Sequence, residues 1–493
     1  HPGGGAELPL PDVPVKGGET VKLLVKNGTL VTARRERRGD LLVEDGRIAA
    51  VDDCLEVPGA EVIDAAGCLV FPGFIDAHTH LDMECAAGVT ADDFATGTRA
   101  ALAGGTTTIL DFATQGKGQT LAQGLAAWES KAAGKALCDY GFHMAITHWT
   151  DDIPAQMEEM CRRGVTSFKV YLAYDDLRLT PEQIGKVREA AARLGAVVGA
   201  HCEDGDAVNR GIAGQKALGN LAPAAHPASR PNWVEADAVR QFLDLAKRAG
   251  AEGYIVHLST REGLEAVREA RRAGQTVWAE TCPHYLALEE SLYRLPGFEG
   301  AKFVCSPPLR SREDRRALWA ALQSGEIQTV ATDHCSFRFD GQKSLGREDF
   351  SRIPNGLPGI EHRGAVLASL APEGEGLSPQ QLCGLLSEGP ARIFGMYPQK
   401  GSLEIEADAD LVVWDPACRW TITAGEQYQN VDYTPYEGME VTGRPRRCCS
   451  GAGWPPGTAG SQRKRREISS PGRQETVPKN FSYHLLIFLK TGV

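Results

Sequence analysis

The stretch FPGFIDAHTH, Phe71 to His80, decides how this chain is read. It is a run of mostly apolar residues that ends in two histidines one residue apart. Side chains of a strand alternate between its faces, so His78 and His80 can present both imidazoles to one point at the strand's C-terminal end. That is a metal-ligand geometry. Two unrelated surface histidines after a buried strand are the plain alternative, and the choice rests on whether other strand ends supply matching ligands.

Seven further apolar segments follow: TTTILDFA (106–113), YGFHMAIT (140–147), SFKVYLA (167–173), AVVGAHCE (196–203), GYIVHLS (253–259), TVWAETCP (276–283) and TVATDH (329–334). Most gaps between them carry helix-period segments such as PEQIGKVREAAARLG and REGLEAVREARRAG, with glycine just past the end. Eight strands with intervening helices predict an α/β fold, a TIM-like (β/α)8 barrel whose active site lies at the C-terminal strand ends. A doubly wound open sheet is the other architecture, but the glycine-rich GxGxxG loop it would want after an early strand is missing.

The flanks have a different texture. KLLVKNGTLV, GDLLVEDGRIAAV and AEVIDAAGCLV are short alternating runs with NG and DG turns, and KGSLEIEADADLVVWDP near Lys400 matches them. Residues 21–72 and 395–446 are therefore expected to build one small β-sandwich domain, with the barrel, 73–394, inserted between its halves. Residues 1–20, rich in Gly and Pro, read as a flexible leader. Residues 447–493 are atypical. From Arg444 onward ten basic residues face two acids, although the chain as a whole carries −11. The segment after Arg447 reads as a disordered basic tail produced by a shifted reading frame, which the nucleotide sequence would settle. A nucleic-acid-binding tail is the competing reading, and the acidic remainder of the chain argues against general nucleic-acid binding. Thirteen scattered cysteines without a CxxC pair fit reduced thiols and a cytoplasmic location. No run is long enough to span a membrane.

The other strand ends answer the opening question. The fifth strand finishes in His201, the sixth in His257, and the eighth closes on Asp333. Lys169 sits inside the fourth strand among Phe168, Val170 and Tyr171, where an ammonium is costly unless paired or modified. Four histidines, an aspartate and an interior lysine at one rim point to a metal centre.

GFIDAHTH, the strand-borne Lys169, His201, His257 and TDH at Asp333 resemble the cyclic amidohydrolases, specifically the hydantoinase/dihydropyrimidinase branch of the amidohydrolase superfamily. TADDFATGTRAALAGGTTTILDFA, SPPLR, IPNGLPGIEHR and NVDYTPYEGMEVTGRPR carry the likeness across residues 22–446. The resemblance implies a hydrolase acting on the carbon–nitrogen bond of a cyclic amide, opening hydantoins or dihydropyrimidines to N-carbamoyl amino acids. It implies two zinc ions, with manganese or cobalt as substitutes, bridged by hydroxide and by N6-carboxylated Lys169. His78, His80 and Asp333 would hold one ion and His201 and His257 the other. Asp333 would be the general acid/base, Tyr174 would donate to the oxyanion, and Ser306 and Asn355 would fix the substrate's imide through backbone hydrogen bonds. The partner implied is a small cyclic ureide, in a homotetramer or homodimer.

Where the relatives read DMPFGGTVTADDF, this chain reads LDMECAAGVTADDF, placing Glu84 and Cys85 at a loop that lines the substrate's exocyclic group. Larger C5 substituents should be tolerated, and Glu84 could repel acidic ones. A dihydroorotase would carry Arg at position 82, which is Asp. Allantoinase shares the metal site, and the dihydropyrimidinase-related scaffold proteins keep the fold with ligands lost. His284 reads equally as a rim group or a structural one. His143 and His148, assigned to the third strand, and His334 read as packing residues, and Cys335 as a passive thiol.

Overall fold

The computed structural model describes residues 22–370 and 376–450. The expectations for 1–20 and for the tail from Gly451 onward lie outside the described residues. Eight parallel strands form the barrel: β1 (Phe74–Thr79), β2 (Thr106–Thr114), β3 (Asp139–Ala145), β4 (Ser167–Tyr171), β5 (Val197–His201), β6 (Gly253–Ile255), β7 (Val277–Thr281) and β8 (Thr329–Val330). They are ordered sequentially in one sheet. Between β1 and β8 there is no extended ladder. A parallel bridge pairs Thr79 with His334, and the His80 amide donates to the His334 carbonyl at 2.8 Å. The buried Arg363 guanidinium stitches the same seam, donating to the carbonyls of Ile75 at 2.8 Å and Val330 at 3.0 Å and to the Thr106 hydroxyl at 2.9 Å. The barrel therefore closes through a short backbone bridge and the Arg363 side chain rather than through a ladder.

The two helices expected from the sequence form as α1 (Pro181–Leu194) and α2 (Arg261–Arg272). Helix α1 has Pro at its first turn, a capping box between Thr180 and Gln183, and left-handed Gly195 at its end. Each device satisfies backbone groups that the helix cannot pair internally, a cap contributing about 1 kcal/mol. The apolar faces pack onto the strands: Ile184, Val187 and Ala191 from α1 and Leu264 and Val267 from α2 belong to one core with Phe168, Val198 and Ile255.

A second sheet of seven strands joins the two ends of the chain. Its order is Glu440–Cys449, Leu411–Thr421, Leu69–Pro72, Lys22–Val31, Glu36–Glu44 and Arg47–Asp52, with Glu61–Asp64 also paired to Lys22–Val31. The outer strand returns toward the start of Leu411–Thr421, because Arg47 bridges Asp408 and the Ala409 amide donates to Gly46. The curled sheet encloses its own core of Leu23, Val25, Leu41, Ile48, Leu411 and Cys449 among others. One boundary moves. The last strand runs to Cys449, three residues past the expected limit at 446, since Arg447, Cys448 and Cys449 pair with Val413, Val412 and Leu411. A partner strand with free backbone groups extends the pairing wherever the chain can lie flat, whatever its side-chain pattern.

Three carboxylates, Asp139, Asp408 and Asp410, converge where sheet and barrel meet. This cluster is a clamp holding Lys400, whose ammonium lies 2.5 Å from Asp139, 3.3 Å from Asp408 and 2.6 Å from Asp410. Among the described residues no helix is long and apolar enough to cross a membrane.

Candidate metal centre

The C-terminal strand ends bring all six expected ligands to one rim. His78 lies on β1, His80 just beyond it, Lys169 in the middle of β4 and His201 at the last position of β5. Strands β6 and β8 stop earlier than the sequence suggests, so His257 and Asp333 sit two and three residues past their ends. Both turn there in the left-handed region, at φ 36° and 49°, and Tyr174 does the same at 68°. A non-glycine residue at positive φ costs on the order of 1–3 kcal/mol and persists where surrounding contacts impose it. Here the turn is what points the side chain back over the barrel mouth.

Two groups of donors form. His78 Nε2 and His80 Nε2 each lie 3.1 Å from the same oxygen of Asp333, and His78, His257 and Asp333 offer ligand atoms all within 4.8 Å of one another. His201 Nδ1 faces His257 Nε2 at 3.1 Å. Buried His80 Nδ1 and His257 Nδ1 have no hydrogen-bond partner among the described residues. Burial lowers the pKa of His80 to about 4 and those of His201 and His257 as well, keeping these rings neutral with a lone pair to offer. For Asp333 burial opposes ionisation, but His78 and His80 beside it outweigh that and hold the carboxyl well below its usual range. Lys169 lies between the groups, fully buried, its Nζ 3.0 Å from His78 Nε2 and 4.2 Å from the centre of the Phe112 ring. Burial lowers its pKa. Neutral imidazoles, a carboxylate and a buried amine make a donor set that fits divalent ions such as zinc.

The match to known proteins agrees with that donor set. The model of the amidohydrolase family matches residues 69–447. The D-hydantoinase of Geobacillus stearothermophilus is 46% identical over 426 residues, covering 86% of this chain and 90% of its own length. The chain belongs to the amidohydrolase family. The D-phenylhydantoinase of Escherichia coli O81 (strain ED1a) is 40% identical over 427 residues, 86% of this chain and 92% of its own. The crystal structure of dihydropyrimidinase from Brevibacillus agri NCHU1002 superposes with a TM-score of 0.86 at 42% identity, covering 88% of this chain and 95% of that one. These relatives place this amidohydrolase in the hydantoinase branch.

In this amidohydrolase the candidate ligands are themselves held by groups that the sequence reading passed over. Buried Glu280 accepts from His78 Nδ1 at 2.7 Å, from the His257 amide at 3.0 Å and from the Tyr254 hydroxyl at 2.6 Å. Glu203 accepts from His201 Nε2 at 2.8 Å, which leaves Nδ1 as the free nitrogen. Arg230 donates to Glu203 at 2.7 Å, and Ser306 donates to the same oxygen at 2.7 Å. A signal was present. Glu203 lies two residues after His201 and so on the same face, and Glu280 is a charge inside an apolar strand, as Lys169 is. Because Glu280 holds the His78 ring and the His257 backbone amide, Glu280→Gln is expected to weaken metal binding at this site by about 10–100-fold. Competition of the purified protein against a zinc chelator would measure it; unchanged metal affinity would contradict that role.

The three substrate-site candidates also converge. Asn355 Nδ2 donates to the Tyr174 hydroxyl at 3.4 Å, Arg230 reaches the Ser306 hydroxyl at 2.8 Å, and its guanidinium lies 5.9 Å from the centre of the Tyr174 ring. Burial pushes the Tyr174 phenol up to about 12, so it remains a donor at neutral pH.

The remaining residues fall into place by contact. His143 donates from Nε2 to the Ala77 carbonyl at 2.9 Å and packs on Phe112. His148 is not on the third strand, which ends at Ala145; it is exposed in the loop beyond. His334 donates to Asp92 at 3.0 Å and accepts at Nδ1 from the Gly359 and Ile360 amides. His284 is buried with Nε2 unpartnered among the described residues, and burial lowers its pKa to about 4. Burial pushes the Cys335 thiol well above its ordinary value, the opposite of an activated nucleophile. Glu84 pairs with Lys131 at 2.8 Å, which offsets the charge expected to repel acidic substituents.

Proposed function

We propose that this hydrolase opens hydantoin or dihydropyrimidine rings to N-carbamoyl amino acids at a two-metal site. The observation that carries this is the buried Lys169 lying against His78, between the His80–Asp333 group and the His201–His257 pair. His78, His80 and Asp333 would hold one ion and His201 and His257 the other. Lys169, as its carbamate, would serve both and would no longer be a buried cation. Zinc suits these ligands, with manganese or cobalt as substitutes. When bound, the two ions lower the pKa of water and polarise the scissile carbonyl.

The chain's own groups do the rest. Backbone groups of Ser306 and Asn355 hold the ring imide, so that the carbonyl lies against the rim. Asp333 takes the proton of the attacking water at a carboxylate oxygen and passes it to the departing ring nitrogen. The Tyr174 hydroxyl donates to the oxygen on which negative charge develops. The names of the relatives support the D-enantiomer of a 5-substituted hydantoin as substrate. Free cysteines throughout the described residues support a cytoplasmic location, and a homotetramer or homodimer is the expected assembly.

Incubating zinc-loaded protein with D-5-phenylhydantoin and with dihydrouracil, and assaying the N-carbamoyl product, tests the reading. Ring opening of both, faster for the hydantoin, and its loss on exhaustive chelation are expected. Two bound metals with neither ring opened would reject it, and allantoin would then be the substrate to try.

A further inference from the structure

Lys343 is fully buried, on the short 3-10 turn Lys343–Gly346. No carboxylate faces its ammonium among the described residues. It donates instead to three backbone carbonyls, Val304 at 2.7 Å, Pro354 at 3.0 Å and Gly356 at 2.8 Å. An ammonium has three N–H donors, and here each has one acceptor. The acceptors are not scattered. Val304 lies two residues before Ser306, and Pro354 and Gly356 flank Asn355 on both sides. The Gly356 amide also donates to the Val304 carbonyl at 3.1 Å, so the two segments already touch, and the lysine donates to that same carbonyl oxygen.

Burying a cation without a counter-ion is expensive, and burial lowers the pKa of Lys343 to about 7. A methionine would fill the same space without that cost. What an apolar side chain cannot do is let three carbonyl dipoles converge on one point, since they repel one another unless a donor stands between them.

We propose that Lys343 is a positioning residue: its ammonium clamps the 304–306 and 354–356 backbones at the spacing with which Ser306 and Asn355 grip the substrate's ring imide. The inference rests on the reading that Ser306 and Asn355 hold that imide. Contacts to the imide are present in the bound ring and in the transition state alike, so losing their alignment should raise KM and leave kcat nearly unchanged.

The test compares the metal-loaded full chain with Lys343→Met and Lys343→Ala on D-5-phenylhydantoin, with bound metal measured for each. Lys343→Met is expected to raise KM about tenfold or more, as for a buried hydrogen bond lost, with kcat within about threefold and two metals retained. Propylammonium replaces the atoms missing from Lys343→Ala, and its addition should lower that variant's KM toward wild type without affecting wild type itself. Unchanged KM in both variants would overturn the proposal, as would a fall in kcat that tracks lost metal. Failure of both variants to fold, with or without the amine, would also overturn it and make Lys343 a general core group. Failure of the ring-opening reading has a different signature: the wild type itself would open no ring although both metals are bound.

Discussion

Lys169→Ala is expected to abolish ring opening, by on the order of a thousandfold or more, because several kcal/mol of transition-state stabilisation depend on the proposed metal pair. The side chain lies in the middle of β4, with Ala145 of β3 and Gly199 of β5 beside it, so truncation should leave the barrel intact. Gly199 offers no side chain there, and the lysine tip lies against His78 and Phe112. The loss should therefore appear in metal content and turnover before it appears in thermal stability. Reconstitution separates the carbamate from the bare amine. Metal-free wild-type protein supplied with zinc in bicarbonate-depleted buffer should recover little activity, and adding 13C-bicarbonate should restore it together with one carbamate carbon signal per chain. Full recovery without bicarbonate would mean that the lysine acts unmodified, and the bridging role would be withdrawn.

Asp333→Asn should lower turnover by about 10²–10⁴-fold, the contribution of a positioned proton acceptor. The carboxylate faces His78 and His80 at 3.1 Å each, and the isosteric amide keeps one oxygen for that contact while losing the basic site. Binding of the ring should survive, since the proposed imide contacts belong to other segments. Equilibrium binding of a hydantoin to the variant, measured beside single-turnover rates and metal content, would separate the two roles of this residue. If the variant binds two metals and turns over at the wild-type rate, the proton passes through another group, and His284, whose Nε2 has no partner among the described residues, would be the next to substitute.

The sequence by itself determined the repeating element and the chemistry it carries. Apolar segments with helix-period gaps call for a parallel sheet covered by helices, and their count of eight together with the missing glycine-rich loop favoured the barrel over an open sheet. Strand alternation was enough to set His78 and His80 on one face, and Lys169 stood out because a lysine has no business in an apolar strand without a reason. What pairs across distance was not legible. Glu280 touches His78, 202 residues away, and Lys343 reaches back 39 residues to Val304. A local pattern can flag a charge in an apolar strand, as at Glu280, but it does not say which group that charge pairs with, because an acceptor is chosen by where the barrel's curvature brings it. The seam between β1 and β8 is likewise tertiary. The eighth strand is only two residues long, so the closing hydrogen bonds fall to Arg363 and to the His80–His334 contact. The left-handed turns at His257 and Asp333 depend on the same closure, since only a fully packed rim can hold a residue at a backbone angle that costs free energy.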